Sequence, residues 1–424
     1  MNKLTMFDYV KETPDVLRTN IEQYTTLVDP LMKEVQQKEI KRILLVASGS
    51  SHNACYCARS FVEKVSGLEV RIITPYTFTY YENDIKENDL VLVVTQSGLS
   101  TNAIEALKIT KKKECRAICL TGNKNSDVKD VADVVIEYGV GEELVGYVTK
   151  GVSSLALFLD LFAIAYSGKT EYLDELKKAA DLNEEMIDQA TNFIQQHYKN
   201  FSSMSWVYSC GAGANYGTAL ESALKMGETI HIPSCCYEIE EYIHGPNLQL
   251  TPQYNVIFFD GNDGASRRVE QVYKATRKVT NRAYLISNNP QLSSDDHVLS
   301  LSDTVSSELR RQHRRRQRHL QQRQRHHLRR YGQRQWRRRP RRLRRRRHPQ
   351  QQRRRHHLRR YGYCQRRQQH EQQRRLRHQQ PRRRHLQRYG YCQRRRQQRR
   401  LRRRRHPQQR HRSVGQPRAD RQGW

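Results

Sequence analysis

The stretch Ile43-Leu44-Leu45-Val46-Ala47-Ser48-Gly49-Ser50-Ser51 decides the fold. Its unbroken apolar run reads as a strand buried on both faces. The small, hydroxyl-rich turn that follows opens a helix. The same pattern recurs where Leu90-Val91-Leu92-Val93-Val94 runs into Thr95-Gln96-Ser97-Gly98-Leu99-Ser100. A strand ending in such a turn gathers backbone N–H groups and hydroxyls at a positive helix end, which suits a phosphate. Two such loops on neighbouring strands would cradle one phosphorylated small molecule. Taken singly, each loop has a structural alternative, since hydroxyl-rich turns also cap helices.

Around these loops, strand and helix alternate. Residues 8–38 read as helical, with Pro30 interrupting. Strands are expected at Ile43–Ala47, Val70–Thr74, Leu90–Thr95, Arg116–Leu120 and Val134–Tyr138, and helices at 53–65, 100–112 and 126–131. This alternation predicts a parallel sheet covered on both faces. A long helix follows from Thr149 to Tyr166, and a polar one from Glu171 to Tyr198 reads as a spacer. The pattern restarts at Trp206-Val207-Tyr208-Ser209 and Cys210-Gly211-Ala212-Gly213-Ala214-Asn215, with a helix running to Gly227. Further strands are expected at Val256–Phe259, Ala283–Ser287 and His297–Leu301, with a helix over 265–279. Two halves that each begin strand, turn, helix indicate an internal duplication. The fold class is therefore α/β, with two doubly wound parallel-sheet domains. The expected divisions are a helical segment 1–39, a first domain 40–170, and a linker helix with a second, truncated domain over 171–309. The tail is 310–424.

The net charge of +34 averages two unlike parts. Residues 1–309 carry a net charge of −11, and residues 310–424 carry +45, with 47 arginines and no lysine. Arg, Gln, His, Leu and Pro make up 96 of the last 115 residues. Those are all the amino acids whose codons begin with C, a grouping that no property of folded proteins explains. Segments also repeat: 326–332 recurs at 356–362 and 343–351 at 401–409. One reading is a wrong-frame or fused repetitive segment. The other is a basic arm holding nucleic acid without sequence preference. On either reading the tail has too few apolar residues for a core and is expected to be disordered.

The seven cysteines of the first part lack metal-site spacing and read as reduced thiols. No signal-peptide pattern opens the chain, and the most apolar run, Leu155 to Tyr166, is short for a membrane span and carries Asp160. These features predict a cytoplasmic chain with no membrane partner, no metal and no cofactor. There is no triphosphate-binding loop, and Gly211-x-Gly213 lacks the rest of a dinucleotide fingerprint.

Candidate chemistry lies in the second half. Lys225 and Glu228 share a helix face, and Glu241-Tyr242-Ile243-His244-Gly245-Pro246 supplies His244. Moving a proton between adjacent sugar carbons needs one base that takes and returns it, a role a carboxylate fills. Ring opening needs a second acid/base, for which His suits neutral pH. Alone, Lys225–Glu228 also reads as a surface pair and His244 as a turn residue.

Together and in this order, the two serine loops, Ala223-Leu224-Lys225-Met226-Gly227-Glu228 and the His244 segment resemble the SIS (sugar isomerase) family in its double-domain form. The resemblance covers residues 40–302. It is nearest to the isomerase half of glutamine–fructose-6-phosphate aminotransferase and to the fructosamine-6-phosphate deglycases. It implies a phosphate site on Ser51, Thr95, Gln96, Ser97 and Ser100, with Ser50 beside the sugar. It implies Glu228 as the proton-transfer carboxylate, His244 as the ring-opening residue, Lys225 as its accompanying lysine, and a homodimer in which the histidine crosses between subunits. Four departures point away from the synthase. Asn2 stands where a glutaminase cysteine is expected, which predicts no glutamine-dependent amide transfer, and Leu99 replaces a glutamate. Val148-Thr149-Lys150 replaces a Ser-Thr-Lys segment that the resemblance places along the sugar site, and the tail offers no imine-forming lysine. The expectation is a sugar-phosphate isomerase or fructosamine-6-phosphate deglycase. The alternatives are a sugar-phosphate sensor without turnover, or a copy inactivated by its truncated second domain.

Overall fold

The computed structural model describes residues 4–301. The arginine-rich tail, and with it the expected truncation of the second domain, lies outside the described residues.

The chain enters through α1 (Met6–Glu22) and α2 (Tyr24–Val35). Thr5 and Asp8 close a capping box at the first turn, so two otherwise unpaired N–H groups are satisfied. The helical break falls at Gln23, not at Pro30 as expected. Pro30 lies inside α2 on its exposed side, where water can take the carbonyl that loses its donor.

In the first half, β1 (Arg42–Ala47), β2 (Glu69–Ile73), β3 (Asp89–Thr95), β4 (Ile118–Thr121) and β5 (Val134–Glu137) form a parallel sheet in the order β2-β1-β3-β4-β5. The connections carry α3 (Gly49–Ser66), α4 (Pro75–Tyr80) and α5 (Thr101–Lys112). The segment expected as a helix over 126–131 is one tight 3₁₀ turn, Asp127–Asp130. After β5 comes α6 (Lys150–Ser167), then α7 (Leu173–Gln196) and the short α8 (Tyr198–Ser202).

The second half repeats the plan with β6 (Val207–Gly211), α9 (Ala214–Lys225), β7 (Ser234–Glu238), α10 (Ile239–Ile243), β8 (Asn255–Phe259), α11 (Ser266–Arg277), β9 (Ala283–Ser287) and β10 (Val298–Ser300). Its order is β10-β9-β8-β6-β7, again all parallel. Counted within each half, both sheets run 2-1-3-4-5, so the duplication read from sequence is a duplication of topology. Strand β7 was not expected, because Cys235-Cys236-Tyr237 at a sheet edge carries no apolar run.

Alternate residues of the central strands feed two cores, as a doubly covered sheet requires. In the first half, Ile43, Leu45, Leu92 and Val94 pack with α3 and α6, whereas Leu44, Val46, Val91 and Val93 face the other way with Ala103 and Leu107 of α5. Helix α6 has 18 residues and is long and apolar enough to cross a membrane by length and composition alone. It matches within one residue the helix expected from Thr149 to Tyr166, of which the apolar run Leu155 to Tyr166 is only a part. Most of it is buried in this core, Leu155, Phe158 and Phe162 completely. Nor is α7 only a spacer. It buries Ala180 and Phe193, and Arg18 of α1 ties to its Asp181 and Glu184.

Candidate functional site

In a 2-1-3-4-5 sheet the first and third strands send their chains to opposite faces, and a crevice opens at their C-terminal ends. Both serine loops lie there. The loop after β1 turns at Gly49, whose φ of +56° is in the left-handed region, and α3 begins at once. Helix α3 starts four residues earlier than expected, so Ser50 and Ser51 sit in its first turn, where N–H groups have no helical acceptor. The loop after β3 turns at Gly98, φ +67°. A Cβ there would also overlap the Ser126 hydroxyl, so only glycine fits.

These loops form one wall of a cavity of about 900 Å³, lined by Ser50, Ser51, Thr95, Gln96, Ser97 and Ser100 together with Glu228. None of the described residues that line it is Lys or Arg. An anion here would be held by the starts of α3 and α5 and by hydroxyls. Ser51 and Thr95 are buried, and Ser97 Oγ accepts from the Leu99 N–H at 3.2 Å. Gln96 is already engaged. Its Nε2 donates to Glu143 Oε1 (3.1 Å), and Tyr138 donates to its Oε1 (3.2 Å). Glu143 in turn accepts from the Thr149 and Gly151 N–H groups, capping α6. Gln96 therefore shapes the wall with its amide already paired.

Glu228 arrives from the second half. Helix α9 widens after Lys225 into a π turn, Met226–Ile230, that carries Glu228. Such turns re-aim a side chain at the cost of one helical register step. Lys225 Nζ lies 2.6 Å from Glu228 Oε2, 3.2 Å from Glu221 Oε1 and 3.0 Å from Ser50 Oγ. Ser50 donates to Glu221 Oε1 at 2.9 Å, and Asn53 Nδ2 donates to Glu221 Oε2 at 2.8 Å. Glu221 thus fastens the second half to the first turn of α3. Sequence reasoning missed it, although its place four residues before Lys225 was the available signal.

The structure does not bring His244 to this cavity within one chain. It ends α10, exposed, with Nδ1 2.7 Å from the Glu240 carbonyl. Of Val148-Thr149-Lys150, Val148 lines the cavity, but Lys150 turns away. It is 1% exposed, 2.9 Å from Glu12 Oε1 and above the Tyr9 ring. Among the described residues the cysteines are free thiols. Burial pushes Cys57 up to about 11 and Cys119 to about 12, which leaves neither as a thiolate nucleophile at neutral pH. Among the described residues no group of His, Cys, Asp and Glu could hold a metal ion.

Residues 38–165 match the SIS domain family. A glutamine–fructose-6-phosphate aminotransferase from Caldanaerobacter subterraneus subsp. tengcongensis is 29% identical over 220 residues, covering 49% of this chain and 36% of the relative. The chain spans between about a third and a half of the length of the curated relatives it matches. Among solved structures, the C-terminal domain of glucosamine-fructose-6-phosphate aminotransferase from Francisella tularensis superposes with a TM-score of 0.64 at 23% identity, over 72% of this chain and 90% of that one. Tagatose-6-phosphate ketose/aldose isomerase from Escherichia coli gives 0.59 at 16% identity, over 70% and 86%. These two likenesses establish the fold, in which both parallel-sheet halves take part. The loops, the paired sheets and the family match agree: residues 38–165 form a SIS domain, and the second half repeats its fold.

Proposed function

We propose that the cavity binds a phosphorylated ketose or amino sugar and that Glu228 moves a proton between its C1 and C2. The observation that carries this is that Glu228 lines the same cavity as two hydroxyl-bearing helix starts. The phosphate sits at the starts of α3 and α5, with Ser51, Thr95, Ser97 and Ser100 donating, and Ser50 lies at the sugar. Lys225 holds Glu228 Oε2, which leaves Oε1 for the substrate. In the isomerase reaction Glu228 takes the proton from one carbon, an enediol forms, and the same carboxyl returns the proton to the neighbouring carbon. With a fructosamine 6-phosphate, the proton leaves C1 and returns at C2, and the product is a C1 imine. Water adds to the imine carbon and the amine departs.

His244 acts in ring opening only if a second copy of the chain delivers it, so this reading includes a homodimer. The exposed position of His244 favours a second reading, a sensor that holds the sugar phosphate without turning it over. The two readings share the phosphate site. Ser51→Ala and Thr95→Ala are expected to weaken sugar-phosphate binding roughly tenfold to hundredfold each, as for a hydrogen bond to a charged group. Titration calorimetry checks this, with inorganic phosphate competing for the intact chain. Unchanged affinity in both variants removes the phosphate from these loops.

A further inference from the structure

A second cavity, of about 640 Å³, lies behind the Lys225–Glu221 pair. Its walls are mainly apolar, with Ile21 of α1, Ala156 of α6, Phe193 of α7, and Ile257, Phe259 and Tyr284 of the second sheet, and Ser153, Thr218, Ser222, Glu221 and Lys225 also line it. That volume is typical of small-ligand sites. Two oxygens in this lining stand apart from its other polar groups. Asp160 Oδ1 of α6 and Asn183 Oδ1 of α7 are both buried without a hydrogen-bond partner, and both residues line the cavity. Burial holds the Asp160 carboxyl well above the usual carboxylate range. An unpaired buried acceptor costs stability, and a ligand that donates to it recovers that cost. The missing element is a donor carried on an apolar body.

We propose that this cavity is a binding site for a small apolar amine, its ammonium group donating to Asp160 and Asn183 and its hydrocarbon lying along Ile257, Phe259 and Tyr284. An ammonium has three donors and no acceptor, which matches two orphaned acceptors. A carboxylate head of the same length would leave both orphaned acceptors unpaired. The site is separate from the sugar-phosphate cavity and does not rest on the function proposed for it.

The test uses the full chain and n-octylamine, with n-octanoate as the control. Calorimetry should show saturable binding of octylamine with one site, none of octanoate, and no displacement by inorganic phosphate. Asp160→Leu should weaken octylamine at least tenfold, and Ala156→Phe, which fills the cavity, should abolish binding. Asp160→Leu removes an unpartnered carboxyl, so its melting temperature should equal or exceed that of the parent. If it does not fold, Asn183→Leu carries the same expectation. Absence of saturable binding overturns the proposal. So does an affinity that Asp160→Leu and Asn183→Leu leave unchanged, or equal binding of octanoate.

Discussion

Glu228→Gln is expected to lower turnover of the sugar phosphate by about 10² to 10⁴, the usual worth of a positioned general base. Binding should change less than about threefold. The argument rests on what the substitution leaves intact. Glutamine keeps the size of the side chain and an oxygen that can still accept from Lys225. Lys225 stays anchored by Glu221 and Ser50, so the serine wall does not move. Only the capacity to take up a proton is lost. Glu221→Gln makes the contrast. Glu221 receives Ser50, Asn53 and Lys225, so its loss should raise KM through a displaced Ser50 more than it lowers kcat. Steady-state kinetics and calorimetry on both variants separate the two roles. Turnover retained in Glu228→Gln removes that residue from the chemistry.

Gly217→Leu is expected to destabilise the chain by at least about 2–3 kcal/mol, a fall of several degrees in melting temperature, and to weaken sugar-phosphate binding with it. Helices α3 and α9 cross at this glycine. A Cβ on Gly217 would lie 2.5 Å from the Cys57 backbone nitrogen and 2.8 Å from the Asn53 carbonyl oxygen. Both are backbone atoms, so no rotamer change relieves the overlap and the helices must separate. Separation pulls Glu221 from Ser50 and Asn53, which links the stability loss to the site. Gly227→Ala is the control, since its Cβ would meet nothing nearer than Ser234 Oγ at 3.6 Å. Thermal melts of the two variants should differ by most of the stated amount. Equal melts would mean that the crossing is looser than described.

The sheet was legible because local pattern and burial coincide there. Ile43–Ala47 and Leu90–Thr95 are covered on both faces, so nearly every residue in them is apolar. The edge strand β7 was not legible, because half of its neighbours are solvent and side chains such as Cys235 and Glu238 are tolerated. The misread Pro30 and the apparent spacer α7 share one cause. Both were judged from composition, and which face meets solvent depends on tertiary packing. The serine loops and Glu228 were singled out from short motifs, and they line one cavity. Glu221 was not, since its partners Ser50 and Asn53 lie 171 and 168 residues away and only the α3–α9 crossing brings them together. Lys150, expected near the sugar by resemblance, is taken by Glu12 of a helix that no motif connects to it.

The most direct measurement is hydrogen exchange at the sugar carbons. The full chain is incubated in deuterium oxide with six-carbon ketose 6-phosphates and fructosamine 6-phosphates, and C1 and C2 are followed by proton NMR. A proton shuttled by Glu228 between those carbons equilibrates with solvent, so deuterium should enter C1 or C2 of at least one of these compounds. Saturating inorganic phosphate should slow the exchange, and Glu228→Gln should abolish it. Tight binding of the same compounds with exchange no faster than in buffer would contradict catalysis and leave a sugar-phosphate sensor.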